Sequence, residues 1–285
     1  MIMKYIFTIA TGIYCNHFEN FKNTINNFYP NDIKKLIVFS DQLNDYDKIN
    51  IGNTYIEIIS IPSFVYTSIL LNKFNFIIWY CKEHNINNNE LLYYFDIDTY
   101  FYTDINIGLH YLNNCINEHD VVIFSNHPIN LINKMYDYRR YVHGYLYVEN
   151  DNGIQSNVFN DYSFAKYDLI NKDCITSFFV GTLENIIKLN DKFNDIYCSI
   201  LKNDRVIPNY CDEDIVNYIW LKQLLNEYDE YVYVTDINFI NISNLDLYDN
   251  KRYIVFDGEF KISLKFSEQL LCCQKYNLNK KLKLR

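Results

Sequence analysis

The sequence has few of the residues that interrupt secondary structure, with 4 prolines and 7 glycines among 285 residues. Linkers and disordered tracts are usually rich in such residues, so their scarcity argues against both. The chain is instead 49% hydrophobic and 18% aromatic, which is typical of a packed globular protein. No internal repeat is visible. This length accommodates one large α/β domain or two small ones.

Basic residues are also in deficit. Lysine and arginine total 26 against 35 acidic residues, which gives a formal net charge of -9. A general nucleic-acid-binding protein needs a basic face to neutralise phosphates, so we expect no nucleic-acid partner. One phosphorylated small molecule remains compatible with this charge, because a metal ion can supply the missing positive charge.

Long apolar runs and paired-cysteine motifs are missing as well. No stretch approaches the roughly 18 apolar residues of a membrane span, and the amino terminus lacks a secretory pattern. The 8 cysteines form no CxxC motif, and most lie within apolar runs, where buried free thiols are common. We therefore expect a soluble, cytoplasmic protein without a signal peptide or membrane anchor. The sequence does not indicate an oligomeric state.

Apolar runs of strand length alternate with segments of helical period. The predicted strands are 4–10, 34–41, 55–61, 91–95, 120–128, 175–181, 231–236 and 253–258, and the predicted helices are 17–29, 68–84, 183–201 and 212–225. Strand–helix alternation in the first hundred residues predicts an α/β fold with a mostly parallel central sheet flanked by helices. Ligands of such sheets bind at the carboxyl ends of the strands.

The segment LLYYFDIDTYFYTDI places two carboxylates, Asp96 and Asp98, at the end of an apparently buried strand. Buried carboxylates need cations or several hydrogen-bond donors. Hard oxygen ligands select Mn²⁺ or Mg²⁺, which commonly share coordination with a substrate diphosphate. A metal ion there would stabilise a leaving diphosphate. An acidic tripeptide also occurs by chance, as a solvated strand end.

In its context this arrangement resembles the Asp-x-Asp motif of nucleotide-sugar glycosyltransferases with the Rossmann-like GT-A fold. The chain further resembles glycosyltransferase family 6, the histo-blood-group A and B transferases and α-1,3-galactosyltransferases. YIFTIATGIY is similar to the family's first strand, which implies nucleotide contacts by Phe7, Thr8, Ile9 and Tyr14. Lys73 stands where the family has a donor-contacting arginine, and it keeps the charge without the bidentate fork.

Later segments extend the resemblance in the same order. SNHPI resembles the family's Leu-His-Pro, and YDYRR (136–140) resembles the stretch that follows it. ITSFFVGTLENIIKL and CDEDIVNYIWL resemble the Phe-Phe-Gly-Gly and His-Asp-Glu segments, with Cys211 in place of the histidine. The similarity spans roughly Tyr5 to Leu225, and the last sixty or so residues match poorly.

The resemblance implies a role for each matching residue. Asp98 and Asp96 would bind the metal, with Asp96 alternatively contacting the donor ribose. Glu213 would act at the anomeric carbon, as a nucleophile or as a stabiliser of an oxocarbenium-like state. Acidic residues at a helix start also favour the helix dipole, which leaves a purely structural alternative for Glu213. The remaining implied donor-binding residues are Ile175, Thr176, Ser177 and Asp212.

Two residues are assigned to the acceptor sugar. His127 would hydrogen-bond it, or would be an ordinary loop histidine before a proline. Trp220 would face the acceptor pocket or the core. Ser177, one of the implied donor-binding residues, has a larger side chain than glycine would have. It would crowd an N-acetyl group on the donor sugar, which favours UDP-galactose over UDP-N-acetylgalactosamine as donor.

The resemblance to family 6 implies a retaining, metal-dependent hexosyltransferase. It would move galactose or N-acetylgalactosamine from a UDP-sugar to a glycan acceptor, with an α-1,3 linkage. The alternatives are a GT-A transferase of another family, or a non-catalytic nucleotide-sugar or carbohydrate-binding protein. Residues 1–260 would form a single GT-A domain. Residues 261–285 would form an amphipathic basic tail, either a surface helix or a peripheral membrane contact.

Overall fold

The structure is a computed structural model that describes residues 3–43, 49–63, 66–101, 106–126, 174–204, 211–241, 253–256, 259–262 and 270–274. Its strands and helices alternate, as in an α/β protein. The helices are α1 (Phe18–Thr24), α2 (Tyr66–Glu83), α3 (Asn106–Glu118), α4 (Leu183–Asp204) and α5 (Cys211–Leu224). The strands are β1 (Met3–Ala10), β2 (Ile33–Ser40), β3 (Ile49–Ile51), β4 (Thr54–Ser60), β5 (Leu91–Phe95), β6 (Thr99–Tyr100), β7 (Val122–Asn126), β8 (Cys174–Thr182), β9 (Val232–Asn241), β10 (Tyr253–Phe256), β11 (Glu259–Ile262) and β12 (Leu270–Gln274).

All eight predicted strands and all four predicted helices are present, with small shifts at their ends. The segment 17–29 is helical only in part, because 3-10 turns at Gly12–His17 and Ile25–Asn27 flank α1. Five elements lack a counterpart among the predictions, namely β3, β6, β11, β12 and α3. β3 and β6 have only two or three residues, which is too short for a period. α3 was missed although Leu109, Leu112 and Cys115 follow a three-residue step and are buried.

The chain divides into two compact units. The first unit comprises residues 1–63, 92–118 and 235–285, and the second comprises residues 64–91 and 119–234. Within the described residues, no helix is both long enough and apolar enough to cross a lipid bilayer.

The first unit contains strands in the order β3-β4-β2-β1-β5. β1 pairs in parallel with β2 and with β5, and β2 pairs in parallel with β4. Only the short β3 is antiparallel to its neighbour within this set. Because β1, β2 and β5 are parallel neighbours, their carboxyl ends lie along the same edge.

Aromatic packing forms much of the core of the first unit. The ring of Phe28 lies 5.1 Å from that of Phe95 and 5.3 Å from that of Tyr93, both edge-on. Phe101 packs against Phe28, Phe95 and Phe21. Edge-to-face rings attract beyond the effect of their burial. Removing a ring such as that of Phe28 would cost about 3–5 kcal/mol.

β12 joins the sheet portion of the first unit that contains β6 and the later part of β9. It pairs in parallel with β9 and antiparallel with β6. The surface-helix interpretation of the tail is therefore wrong for Leu270–Gln274. A short apolar run such as LLCC suits a strand and a helix equally in sequence, and here pairing with two strands supplies its backbone partners. Residues 275–285, with the basic cluster, lie outside the described residues.

The second unit packs α2, α4 and α5 with the antiparallel pair β7 and β8. Phe74 of α2 contacts Phe179 of β8 and Phe193 of α4, at ring distances of 5.1 and 5.5 Å. Gly181 allows β8 to approach β7 closely, since a Cβ at this position would lie 3.3 Å from the Cα of Val122. The first turn of α4 donates backbone N–H groups to the carbonyls of Glu90 and Asn88.

Candidate functional site

The two carboxylates of the Asp-x-Asp segment lie in a turn at the carboxyl end of β5, in the first unit. The N–H of Thr99 donates to the carbonyl of Asp96 at 3.1 Å, which closes a four-residue turn. Ile97 points into the core, and the side chain of Asp96 is half-buried and accepts a hydrogen bond from the hydroxyl of Tyr94 at 2.9 Å. Asp98 is only 4% exposed. The predicted strand-end position of the pair is therefore present.

This donor set suits a hard divalent cation. Both residues offer carboxylate oxygens, the ligands that Mn²⁺ and Mg²⁺ prefer. The hydroxyls of Thr8 and Thr99 are also buried and lack a hydrogen-bond partner among the described residues. No group of three or more histidine, cysteine, aspartate or glutamate side chains with metal-binding geometry occurs within the described part of the chain. A metal at Asp96 and Asp98 would thus need further ligands from a substrate or from water.

The residues assigned to the nucleotide lie on β1 and in the turn that follows it. Phe7, Thr8 and Ile9 are buried, and the ring of Phe7 stacks with that of Phe39 on β2. Tyr14 is half-buried in the Gly12–His17 turn. Their contacts with a nucleotide stay predictions.

The edge formed by β1 and β2 is held by a backbone-to-carboxylate hydrogen bond. The N–H of Gly12 donates to Oδ1 of Asp41 at 3.0 Å, and Gly12 has a φ of +53° that favours glycine. The hydroxyl of Ser40 accepts from the N–H groups of Gln42 and Leu43. The loops after both strands are therefore fixed at the edge where ligands of parallel sheets bind. The sequence predicts the Ser40-Asp41 segment only as a strand end. The Asp41 carboxylate accepts its hydrogen bond from the N–H of Gly12 because Gly12 adopts a positive φ.

In the second unit, the structure brings together three of the predicted donor-binding residues. Lys73 of α2 forms an ion pair with Asp212 of α5, with 2.7 Å between Nζ and Oδ2. The hydroxyl of Thr176 on β8 donates to the same Oδ2 at 2.7 Å, and Nζ of Lys73 donates to the carbonyl of Thr176 at 3.1 Å. All three are buried. Hydrogen bonds around a buried ion pair offset part of its desolvation cost.

Glu213 follows Asp212 in the first turn of α5. Its side chain is half-buried, whereas Asp212 is buried. Its backbone carbonyl accepts a hydrogen bond from the side-chain amide of Asn217 at 2.9 Å. The same amide pairs with the backbone N–H and carbonyl of Cys174, also at 2.9 Å each. Asn217 is a functional candidate that the sequence did not single out, and its only signal is a lone amide among the apolar residues of IVNYI.

The remaining assigned residues are divided between described and undescribed parts of the chain. Ile175 pairs with Ser125 in the backbone register of β8 and β7, and Ser177 is buried on β8. Trp220 is half-buried on α5, and its Nε1 is buried without a hydrogen-bond partner among the described residues. His127 and the segment 136–140 lie outside the described residues.

Comparison with known proteins adds no relative: no protein-family model matches the chain, and no curated protein matches it. The assignment of function therefore depends on the residues themselves.

Proposed function

We propose that the protein is a retaining, metal-dependent glycosyltransferase that moves galactose, or N-acetylgalactosamine, from a UDP-sugar to a glycan acceptor with an α-1,3 linkage. The proposal includes the finer fold, a GT-A arrangement with a mostly parallel sheet. The observation that carries it is the Asp96-Ile97-Asp98 turn at the carboxyl end of β5, beside the parallel strand β1.

The chemistry of this turn supports metal-assisted departure of a diphosphate. Asp96 and Asp98 would hold Mn²⁺ or Mg²⁺, which would neutralise charge on the leaving UDP. A cation also explains how a chain of net charge -9 accommodates an anionic donor. Burial of Asp98 strengthens its attraction for a cation, because the surrounding dielectric is low.

The second unit contains further residues that the resemblance to family 6 assigns to the donor or to the anomeric carbon. Lys73, Thr176 and Asp212 form one buried polar cluster, and Glu213 lies next to it in sequence. Glu213 is assigned to the anomeric carbon on the resemblance to family 6, as nucleophile or as electrostatic stabiliser.

The test is hydrolysis of UDP-galactose by the purified full chain without acceptor. We expect release of UDP and galactose with Mn²⁺ and none after chelation. Asp98→Asn keeps the shape of the side chain and removes its charge, so it should weaken Mn²⁺-dependent UDP binding at least about tenfold. Asp195→Asn, at an exposed position on α4, is the matched control and should leave binding unchanged.

Two other outcomes would contradict the proposal. If neither the chelator nor Asp98→Asn changed the affinity for UDP, the assignment of the metal to Asp96 and Asp98 would be wrong. Metal-dependent UDP binding without any hydrolysis or transfer would favour a non-catalytic nucleotide-sugar-binding protein.

A further inference from the structure

The side chain of Asn217 holds together two elements of the second unit that carry predicted site residues. Its Oδ1 accepts from the N–H of Cys174, and its Nδ2 donates to the carbonyls of Cys174 and Glu213, each at 2.9 Å. Asn217 is fully buried. Both N–H groups and the oxygen of this amide are therefore hydrogen-bonded, so none of its polar groups is buried without a partner.

The orientation of this amide follows from its partners. Cys174 presents one backbone donor and one backbone acceptor, and the carbonyl of Glu213 is a further acceptor. Only an amide with its nitrogen toward the two carbonyls satisfies all three groups. Asn217 accepts from the N–H of Cys174 and donates to its carbonyl. A residue of a neighbouring antiparallel strand makes the same two hydrogen bonds with its paired residue. Asn217 thus attaches α5 to the first residue of β8 as a strand would.

Glu213 lies between two such attachments of α5. Asp212, one residue earlier, is bound to Thr176 of β8 and to Lys73 of α2. With 3.6 residues per turn, Glu213 and Asn217 are about 40° apart around the helix axis and one turn apart along it. The backbone on both sides of Glu213 is therefore fixed to β8, while its side chain remains half-buried.

We infer that Asn217 is a positioning residue for Glu213: by pairing with Cys174 it sets the place and rotation of the first turn of α5 on β8. This inference rests on the proposed function, in which Glu213 acts at the sugar. A carboxylate displaced by about 1 Å loses much of its effect on a reaction, commonly a factor of about a hundred. Donor affinity should change much less, because the proposal assigns it largely to the metal and the nucleotide contacts, and Asp212 in the same turn keeps its own bonds to Lys73 and Thr176.

The test compares Asn217→Ala with Asn190→Ala. Asn190 is a matched control because it is also a buried amide of the second unit, and it donates to Oδ1 of Asn75 at 2.9 Å. Asn217→Ala loses three hydrogen bonds and Asn190→Ala loses one, so both variants lose some stability. They are compared with the wild type in Mn²⁺-dependent UDP-galactose hydrolysis, at a temperature where circular dichroism shows all three to be folded.

We expect Asn217→Ala to lower kcat by about 10- to 100-fold with the KM for UDP-galactose within about twofold of wild type. Asn190→Ala should leave kcat within about twofold of wild type, because its loss is one of packing and stability alone. Equal kcat values for the two variants, or an Asn217→Ala defect confined to KM, would overturn the inference.

Amide hydrogen exchange separates failure of this inference from failure of the proposed function. If wild-type protein turns over no sugar nucleotide, the proposed function fails. The positioning role is then judged by exchange in the first turn of α5 and at Cys174. Faster exchange there in Asn217→Ala, but not in Asn190→Ala, would support it, and unchanged exchange would refute it.

Discussion

Lys73 and Asp212 form a buried ion pair, 2.7 Å from Nζ to Oδ2, with side chains 1% and 3% exposed. The pair connects the middle of α2 to the first turn of α5, and Thr176 donates to the same carboxylate oxygen. A cation and an anion so placed have little access to water. The second unit therefore depends on both charges being present together.

Removing one partner of this pair should destabilise the protein strongly. Lys73→Met keeps most of the volume and leaves Asp212 buried without its cation, at a cost of roughly 3–5 kcal/mol of unfolding free energy. Adding Asp212→Asn removes the remaining charge and should recover part of that loss. Urea unfolding measures both variants.

The control for this prediction is Lys188→Met. Lys188 forms an exposed i,i+4 pair with Glu184 at 2.8 Å, with side chains 57% and 50% exposed. Water and salt screen such pairs, so the urea midpoint should stay close to that of wild type. If Lys188→Met lost as much stability as Lys73→Met, the charge of the lysine and not the burial of the ion pair would account for the loss.

Replacing Glu213 by glutamine should abolish sugar transfer while UDP binding stays intact, because the neutral amide can neither attack nor stabilise a positive anomeric carbon. Initial rates of transfer and calorimetric titration with UDP and Mn²⁺ measure the two effects. The control is Glu184→Gln, which changes an exposed acidic residue in the first turn of α4. Unaltered turnover in Glu213→Gln would leave Glu213 with the helix-dipole role alone, and would favour a GT-A transferase of another family.

The described cysteines should differ sharply in reactivity. Cys81, Cys115 and Cys174 are buried, whereas Cys198 is exposed on α4. Burial raises the pKa of the Cys81 thiol to about 12, so little reactive thiolate forms near neutrality. Brief treatment of native protein with iodoacetamide should modify Cys198 and spare these three, as read by peptide mass spectrometry. The same treatment in guanidinium should modify all four, and native labelling of Cys81 as fast as that of Cys198 would contradict the packing of α2.

Tyr29 should make the protein sensitive to alkali. Burial raises its pKa to about 12 from an ordinary value near 10, so the folded state binds more protons than the unfolded state between these values. Its contribution to stability is therefore fully present below about pH 10 and is lost as pH rises through about 12, at up to about 1.4 kcal/mol per pH unit.

Tyr29→Phe tests this linkage. The variant loses the hydrogen bond to Asn113 and is less stable at neutral pH, but its stability should fall less steeply with alkali. Urea unfolding at several pH values gives both slopes. Equal slopes for the two proteins would show that Tyr29 does not carry the effect.

Much of the secondary structure could be predicted because the responsible interactions are local. Apolar runs such as KYIFTIA and KKLIVFSD became the parallel pair β1 and β2, and the 3.6-residue period of 68–84 became α2. α3 was missed although its apolar residues have helical spacing: Leu109, Leu112 and Cys115 are buried, and Asn113 and Asn114 are exposed. β12 was misjudged because a run of four apolar residues does not distinguish a strand from a helix.

The sequence by itself determined the α/β alternation, the acidic turn after β5 and the burial of Cys81, Cys115 and Cys174, because each follows from the order of apolar and polar residues along a short segment. Only the tertiary structure decided that Lys73 meets Thr176, 103 positions away, and that Asn217 pairs with Cys174, 43 positions away. Such pairs depend on how helices pack onto strands. Buried polar groups are stable only where that packing supplies their partners, and no local pattern encodes which partner it will be.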